Sequence, residues 1–139
     1  IDQVLDLYFK KKVDYAANTI PPSTRMWPDG SDVEVFSMSS LHKAFLSAKG
    51  LDREHVTFYI WKNIDIFKTI QLKNKYDWSK YRYTIDYQED LNRLIEIMQI
   101  IKRKKIFGTT EEIISIIDKY FKKSLSNKKY SFGFGWNKN

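Results

Sequence analysis

The sequence predicts an α/β fold, and three observations carry that prediction. Stretches with apolar residues at helical spacing (Asp2 to Lys12, Ser39 to Lys49, Gln88 to Arg103) are interleaved with short stretches of period two. The latter are Val13 to Thr19, Asp32 to Ser37, Lys68 to Lys73 and Tyr81 to Ile85. Pro and Gly punctuate the joins, and helices and strands in succession are the signature of α/β architecture.

Taken in order, Asp2 to Lys12 reads as a helix with Val4, Leu5, Tyr8 and Phe9 on one face and Lys at its end, where cations suit the dipole. Val13 to Thr19 is a short strand, and Ile20 to Gly30 a loop marked by Pro21-Pro22 and Pro28-Asp29-Gly30. Asp32 to Ser37 is a strand buried on one side, with Val33 and Val35 opposite Asp32 and Glu34. Ser39 is placed to cap a helix to Lys49, with Leu41, Ala44, Phe45 and Ala48 inward and Gly50 as its stop. Asp52 is placed to cap the next helix, which holds Arg53, Glu54 and His55 in its first turn and Val56, Tyr59 and Ile60 on its apolar side. Lys68 to Lys73 and Tyr81 to Ile85 are strands. Gln88 to Arg103 is the longest helix, with Leu91, Leu94, Ile95, Met98 and Ile101 facing inward. Thr109 and Glu112 form a capping-box pattern for a last helix to Lys123. Tyr130 to Trp136 is aromatic, Gly-punctuated and too irregular to place.

Composition narrows the class. The 139 residues suit one modest core, and residues 1–139 are read as a single domain or a fragment of one. An apolar content of 42% and an aromatic content of 16% argue against disorder. With no Cys there are no disulfides and no thiolate chemistry, which fits a cytoplasmic protein. No apolar run approaches the roughly 20 residues of a membrane span, and no signal-peptide pattern opens the chain. Opening on Ile1 within a helical pattern, the chain reads as the middle of a longer protein. The net charge of +7 comes mostly from Lys at helix ends, so a dedicated nucleic-acid surface is disfavoured. Such a field would still draw a nucleotide or an acidic sugar toward a cleft.

The segment from Met26 to Ser37 concentrates the chemistry. A Pro28-Asp29-Gly30 turn leads into a strand whose two acids, Asp32 and Glu34, project together. A hydroxylated or cationic ligand suits that face; a solvated strand edge is the plainer reading. Arg53-Glu54-His55-Val56-Thr57 and Thr84-Ile85-Asp86-Tyr87-Gln88-Glu89-Asp90-Leu91 follow in order, and Asp14-Tyr15 with Asn18 precedes them.

These four ordered blocks resemble the cytidylyltransferases of the spore-coat polysaccharide biosynthesis F type, relatives of the enzymes that load CMP onto sialic acid and Kdo. The family pattern runs Asp-Tyr-x-x-Asn, Pro-x-Gly-x-Asp-x-Glu-x-Phe, Arg-Glu-His-Val-Thr and Thr-x-Asp-x-x-Glu-Asp-Leu. The resemblance covers Ile1 to about Ile101 and corresponds to the family's C-terminal half. It implies a mixed sheet flanked by helices, the C-terminal part of a nucleotide-diphospho-sugar transferase fold. It also implies cytidylyl transfer from CTP to an acidic sugar or similar acceptor in polysaccharide biosynthesis, with magnesium (Mg2+) as cofactor and a homodimer as an admissible assembly. No Gly-rich phosphate loop is found, since Phe132-Gly133-Phe134-Gly135 is followed by no helix pattern. The chain is therefore expected to be the acceptor-binding half, inactive alone. Two alternatives are a non-catalytic binding or scaffold remnant, and transfer to a phosphonate or polyol phosphate.

Within that scheme Asp86 matches the family's metal-binding Asp, and a helix N-cap is its structural alternative. Arg25 and Arg53 carry guanidinium forks suited to a sugar carboxylate, with surface ion pairs as the alternative, preferred for Arg53. Substrate contact is thus expected from Arg25, Asp32, Glu34, Glu54 and His55, and metal contact from Asp86. His55 reads equally as a neutral imidazole bonded to substrate or as a core His bonded to backbone. With only His42 and His55, a multi-His zinc site is excluded. Phe58, Tyr59 and Trp61 read as core packing, and Glu89 and Asp90 as acids suited to a helix N-terminus.

Overall fold

A computed structural model of the chain describes residues 1–21 and 25–121. The elements run α1 (Asp2–Lys11), β1 (Tyr15–Ala17), β2 (Glu34–Phe36), α2 (Met38–Ser47), α3 (Leu51–Glu54), α4 (Phe58–Lys62), β3 (Thr69–Gln71), α5 (Gln88–Lys104) and α6 (Thr110–Tyr120). They fall into two compact units. The mixed α/β architecture expected from the sequence is the one found. Residues 130–136 lie outside the described residues, and the last helix, expected to reach Lys123, ends at Tyr120 with Phe121 as its C-cap.

The first unit comprises Ile1–Trp27 and Asp32–Trp78. Its sheet has the order β2-β1-β3, with β1 antiparallel to β2 and parallel to β3. The central strand, Tyr15-Ala16-Ala17, is buried throughout. Its alternation divides the core in two. Ala16, with Val33, Val35, Ile70 and Leu72, packs with Val4 and Tyr8 of α1. Tyr15 and Ala17 face Ala44 of α2, Ile60 of α4, and Phe67. The expectation that Val33 and Val35 anchor their strand in the core is met. Asp14 and Asn18 staple the two ends of β1. The Lys68 N–H donates to Asp14 Oδ2 at 2.8 Å, the Val33 N–H donates to Asn18 Oδ1 at 2.8 Å, and Gln71 Nε2 donates to the Asn18 carbonyl at 3.2 Å.

Several local expectations are corrected. Ser37, not Ser39, caps α2: its side chain accepts the Ser40 N–H at 3.0 Å, and the helix ends at Ser47. Starting two residues earlier, α2 buries Ala44, with Ala48 buried just past its end, leaves Leu41 half-buried and turns Phe45 out to 56% exposure. The helix expected after Asp52 is two short ones. Gly50, at φ 54°, precedes α3; His55 ends it in an extended conformation, and α4 begins after Thr57. Arg53, Glu54 and His55 therefore lie at the end of a single turn. Asp52 instead pairs with Lys62. The break falls at Val56-Thr57, two β-branched residues of modest helix propensity, and leaves Val56 exposed and Thr57 buried.

The second unit comprises Pro28–Ser31 and the chain from Ser79 onward. The turn closes through the Ser31 N–H donating to the Pro28 carbonyl at 3.2 Å. Gly30 sits there at φ 86°, and a Cβ on it would lie 2.6 Å from the Thr84 nitrogen, so only glycine fits. Tyr81 to Ile85 does not form the expected strand. Its backbone bonds go to this turn, Asp29 N–H to Tyr81 O at 2.9 Å and Tyr83 N–H to Asp29 O at 2.7 Å, leaving a lone parallel bridge between Asp29 and Arg82. The Tyr81 hydroxyl donates to Asp118 of α6. The capping box at Thr109 and Glu112 is present as expected.

Helix α5 exposes most of the face expected to point inward. Its buried residues are Asp90, Arg93, Ile97 and Ile101, while Leu91, Ile95 and Met98 are exposed and Leu94 is half-buried. Ile85, Leu91, Leu94, Ile95 and Met98 line an open groove of about 450 Å³. The shift arises because α5 is apolar over more than one face, and the Asp90–Arg93 pair is drawn into the unit by its partners.

Candidate functional site

In the first unit the acids and hydroxyls gather on the α4 side of the sheet. The register sets Ala17 opposite Glu34 and Tyr15 opposite Phe36, so Tyr15 and Glu34 are diagonal neighbours on one face. Thr57, buried at the head of α4, acts on the same carboxyl. Glu34 is exposed as a residue, but desolvation of its carboxyl pushes it up from its ordinary range, and the charge of nearby Asp32 adds to that; Thr57 and Tyr15 oppose it. The Tyr15 hydroxyl is also pushed up, chiefly by burial and next by the Glu34 charge.

Asp32 and Glu34 thus lie near enough to act on one another, as period two requires. His55 stacks on Phe58 at 4.2 Å between ring centroids and is half-buried. Glu54 is exposed at the end of α3, and Arg25 is half-buried in the loop before Trp27. Arg53 lies over the Phe45 ring, 4.4 Å from its centroid. From the Arg53 to Thr57 block, Thr57 is the residue whose hydroxyl bears on the Glu34 carboxyl. Tyr15 and Thr57 were not singled out from sequence, although both stand inside the motif blocks. A Tyr followed by two alanines on a strand was the available signal for Tyr15.

In the second unit Asp86 immediately precedes α5, whose N-cap position is Tyr87; the N-cap alternative for Asp86 is thereby corrected. Its carboxylate, 59% exposed, takes a 2.6 Å ion pair from Arg82. The same guanidinium reaches Asp29 at 3.3 Å and Asp90 at 3.1 Å. Asp90 is the hub. Buried to 2% exposure, it also accepts Arg93 at 2.9 Å and the N–H groups of Asp86 and Tyr87, both at 3.2 Å. Burial pushes the Arg82 guanidinium down, but bonding to Asp86 and Asp90 outweighs that and leaves it raised. The spacing Asp90-x-x-Arg93, one helical turn, carried part of this network in plain view. The exposed Asp86 carboxylate, paired with Arg82, is an oxygen donor of the kind magnesium takes, and would be a single protein ligand to it. It does not suit a protein-built cage: among the described residues no three His, Cys, Asp or Glu converge to hold a metal ion.

No family model matches the chain. The chain is similar to the uncharacterized protein MJ1063 of Methanocaldococcus jannaschii, at 30% identity over 122 residues, which are 86% of this chain and 47% of that protein. It is similar in fold to the solved structure of a cytidylyltransferase from Leptospira borgpetersenii serovar Hardjo-bovis. That likeness has a TM-score of 0.70 and 29% sequence identity, over 85% of this chain and 49% of the other. The chain spans about half the length of each. Likeness to a cytidylyltransferase, read first from four short motifs, is thus supported over most of the chain in three dimensions.

Proposed function

We propose that the protein carrying this chain transfers a cytidylyl group from CTP to an acidic sugar or similar acceptor, in polysaccharide biosynthesis. The observation that carries this reading is the shared fold and 29% identity with a cytidylyltransferase over 85% of the chain. This chain is the C-terminal, acceptor-binding half of the enzyme, and the nucleotide site is supplied by the other half. In the first unit, Asp32 and Glu34 accept hydrogen bonds from acceptor hydroxyls, Arg25 grips a carboxylate, and Glu54 and His55 line the approach. In the second, Asp86 is the residue that would hold magnesium. When bound, magnesium neutralises charge on the phosphates.

The test is pyrophosphate release from CTP by the full-length protein, with magnesium and a panel of acidic sugars. Release with at least one acceptor is expected, and none from residues 1–139 alone. A full-length protein that releases pyrophosphate with no sugar acid, phosphonate or polyol phosphate tried would sink the reading. Among the described residues no helix is long and apolar enough to cross a membrane.

A further inference from the structure

We infer that Arg82 is a positioning residue: it fixes the Asp86 carboxylate through Oδ2 and leaves Oδ1 as the oxygen offered to a cation. The cation rests on the magnesium reading above; the hold of Arg82 on Asp86 does not. The Arg82 side chain is 12% exposed and is anchored independently of Asp86. Its Nη1 donates to Asp29 Oδ2 at 3.3 Å and its Nη2 to Asp90 Oδ2 at 3.1 Å. Both anchors are themselves held. Asp29 makes backbone bonds to Tyr81 and Tyr83, on either side of Arg82. Asp90 takes Arg93 on its other oxygen, Oδ1, at 2.9 Å.

Asp86 is tied to this frame at two points. Its N–H donates to Asp90 Oδ2 at 3.2 Å, and its Oδ2 accepts Arg82 Nη2 at 2.6 Å. Because Nη2 also reaches Asp90 Oδ2, these bonds close a ring from the Asp86 backbone to the Asp86 carboxylate. An exposed i,i+4 pair ordinarily contributes little, because two free side chains must be ordered together. Here the longer one is ordered already, so the pair sets the Asp86 rotamer at small entropic cost. Among the described residues Asp86 Oδ1 takes no hydrogen bond, and the side chain is 59% exposed. A carboxylate fixed at one oxygen and open at the other is how outer partners orient a metal ligand. The cluster sets three carboxylates against two guanidinium groups, so it stays net negative despite the arginine beside Asp86.

The test compares the full-length natural sequence with Arg82→Lys, which keeps the charge but not the planar fork. Three-bond NMR couplings of the Asp86 side chain should report one χ1 rotamer in the first and averaging in the second. Titration with the manganese–CTP complex, followed by water-proton relaxation, should show binding weakened about 10-fold or more in Arg82→Lys. An unaveraged rotamer or an unchanged manganese affinity in that variant would overturn the inference and leave the magnesium reading intact. Should Arg82→Lys fail to fold, salt decides on the natural sequence, since at about 1 M the screening length falls to about 3 Å. A single rotamer that persists there supports positioning; averaging marks an ordinary surface pair and overturns it. A natural protein that takes up no manganese–CTP, yet keeps one Asp86 rotamer, defeats the magnesium reading and leaves the hold of Arg82 standing.

Discussion

At the scale of single residues, acids of one type are held in opposite ways. Asp86 is exposed on one guanidinium; Asp90, four residues on, is buried between two. Removing one partner of a buried pair strands the other charges, at about 3–5 kcal/mol, whereas an exposed pair contributes about 0–1 kcal/mol. Asp90→Ala is therefore expected to lose about 3–5 kcal/mol in urea unfolding and Asp86→Ala no more than about 1 kcal/mol. Equal losses would show that the network does not centre on Asp90. Glu34 gives a pH signature. Its carboxyl is raised in the fold, so protonation favours the native state, and that contribution is lost as pH rises through the folded midpoint. Glu34→Gln should thus melt higher than the natural sequence near about pH 7, with the gap closing near about pH 4. A gap that widens toward acid would reverse the sign and refute the burial argument. The sequence showed that Asp32 and Glu34 share a face. Which hydroxyls lie behind Glu34 depends on the pairing of β1 with β2 across a long loop, and local pattern does not encode that.

At the scale of elements, the long periodic helices were legible and the short junctions were not. α1, α5 and α6 announce themselves by apolar spacing, terminal Lys and a capping box, which are local signals. The start of α2 was ambiguous because Ser37, Ser39 and Ser40 all offer hydroxyls, and only the backbone decides which lies outside the first turn. Ser37 is extended, at φ −82° and ψ 156°, and its hydroxyl takes the Ser40 N–H. Ser37→Ala should cost about 1 kcal/mol in thermal or urea unfolding, and Ser39→Ala only a few tenths. The opposite ranking would move the cap back to Ser39. The buried side of α5 was misjudged for a different reason. Periodicity finds apolar faces but cannot rank two of them, and the choice was made by Arg82, Asp29 and Asp90, scattered over 62 residues of sequence.

At the scale of the whole molecule, short motifs carried further than composition did. The Asp14-to-Asn18 block staples the central strand, the Pro28-to-Gly30 block fixes a turn that only Gly30 can complete, and Asp86 precedes the longest helix. Composition alone would have ended at an α/β domain without a role. Asp86 is also where the proposed chemistry meets its clearest test. Because Tyr87, not Asp86, holds the N-cap position, Asp86→Asn leaves the cap untouched. Arg82 keeps Asp29 and Asp90 as partners, so the fold should lose no more than about 1 kcal/mol. The charge offered to magnesium is removed all the same. In the full-length protein, Asp86→Asn should keep its melting temperature within a few degrees while turnover falls at least about 10- to 100-fold, the loss that even outer partners of a metal ligand produce. Raising magnesium should recover part of that loss. Melting curves and magnesium-dependent pyrophosphate release, measured on the same preparations, separate a metal contact from a surface ion pair. An Asp86→Asn protein with unchanged turnover and an unchanged magnesium requirement would assign Asp86 to the Arg82 network alone.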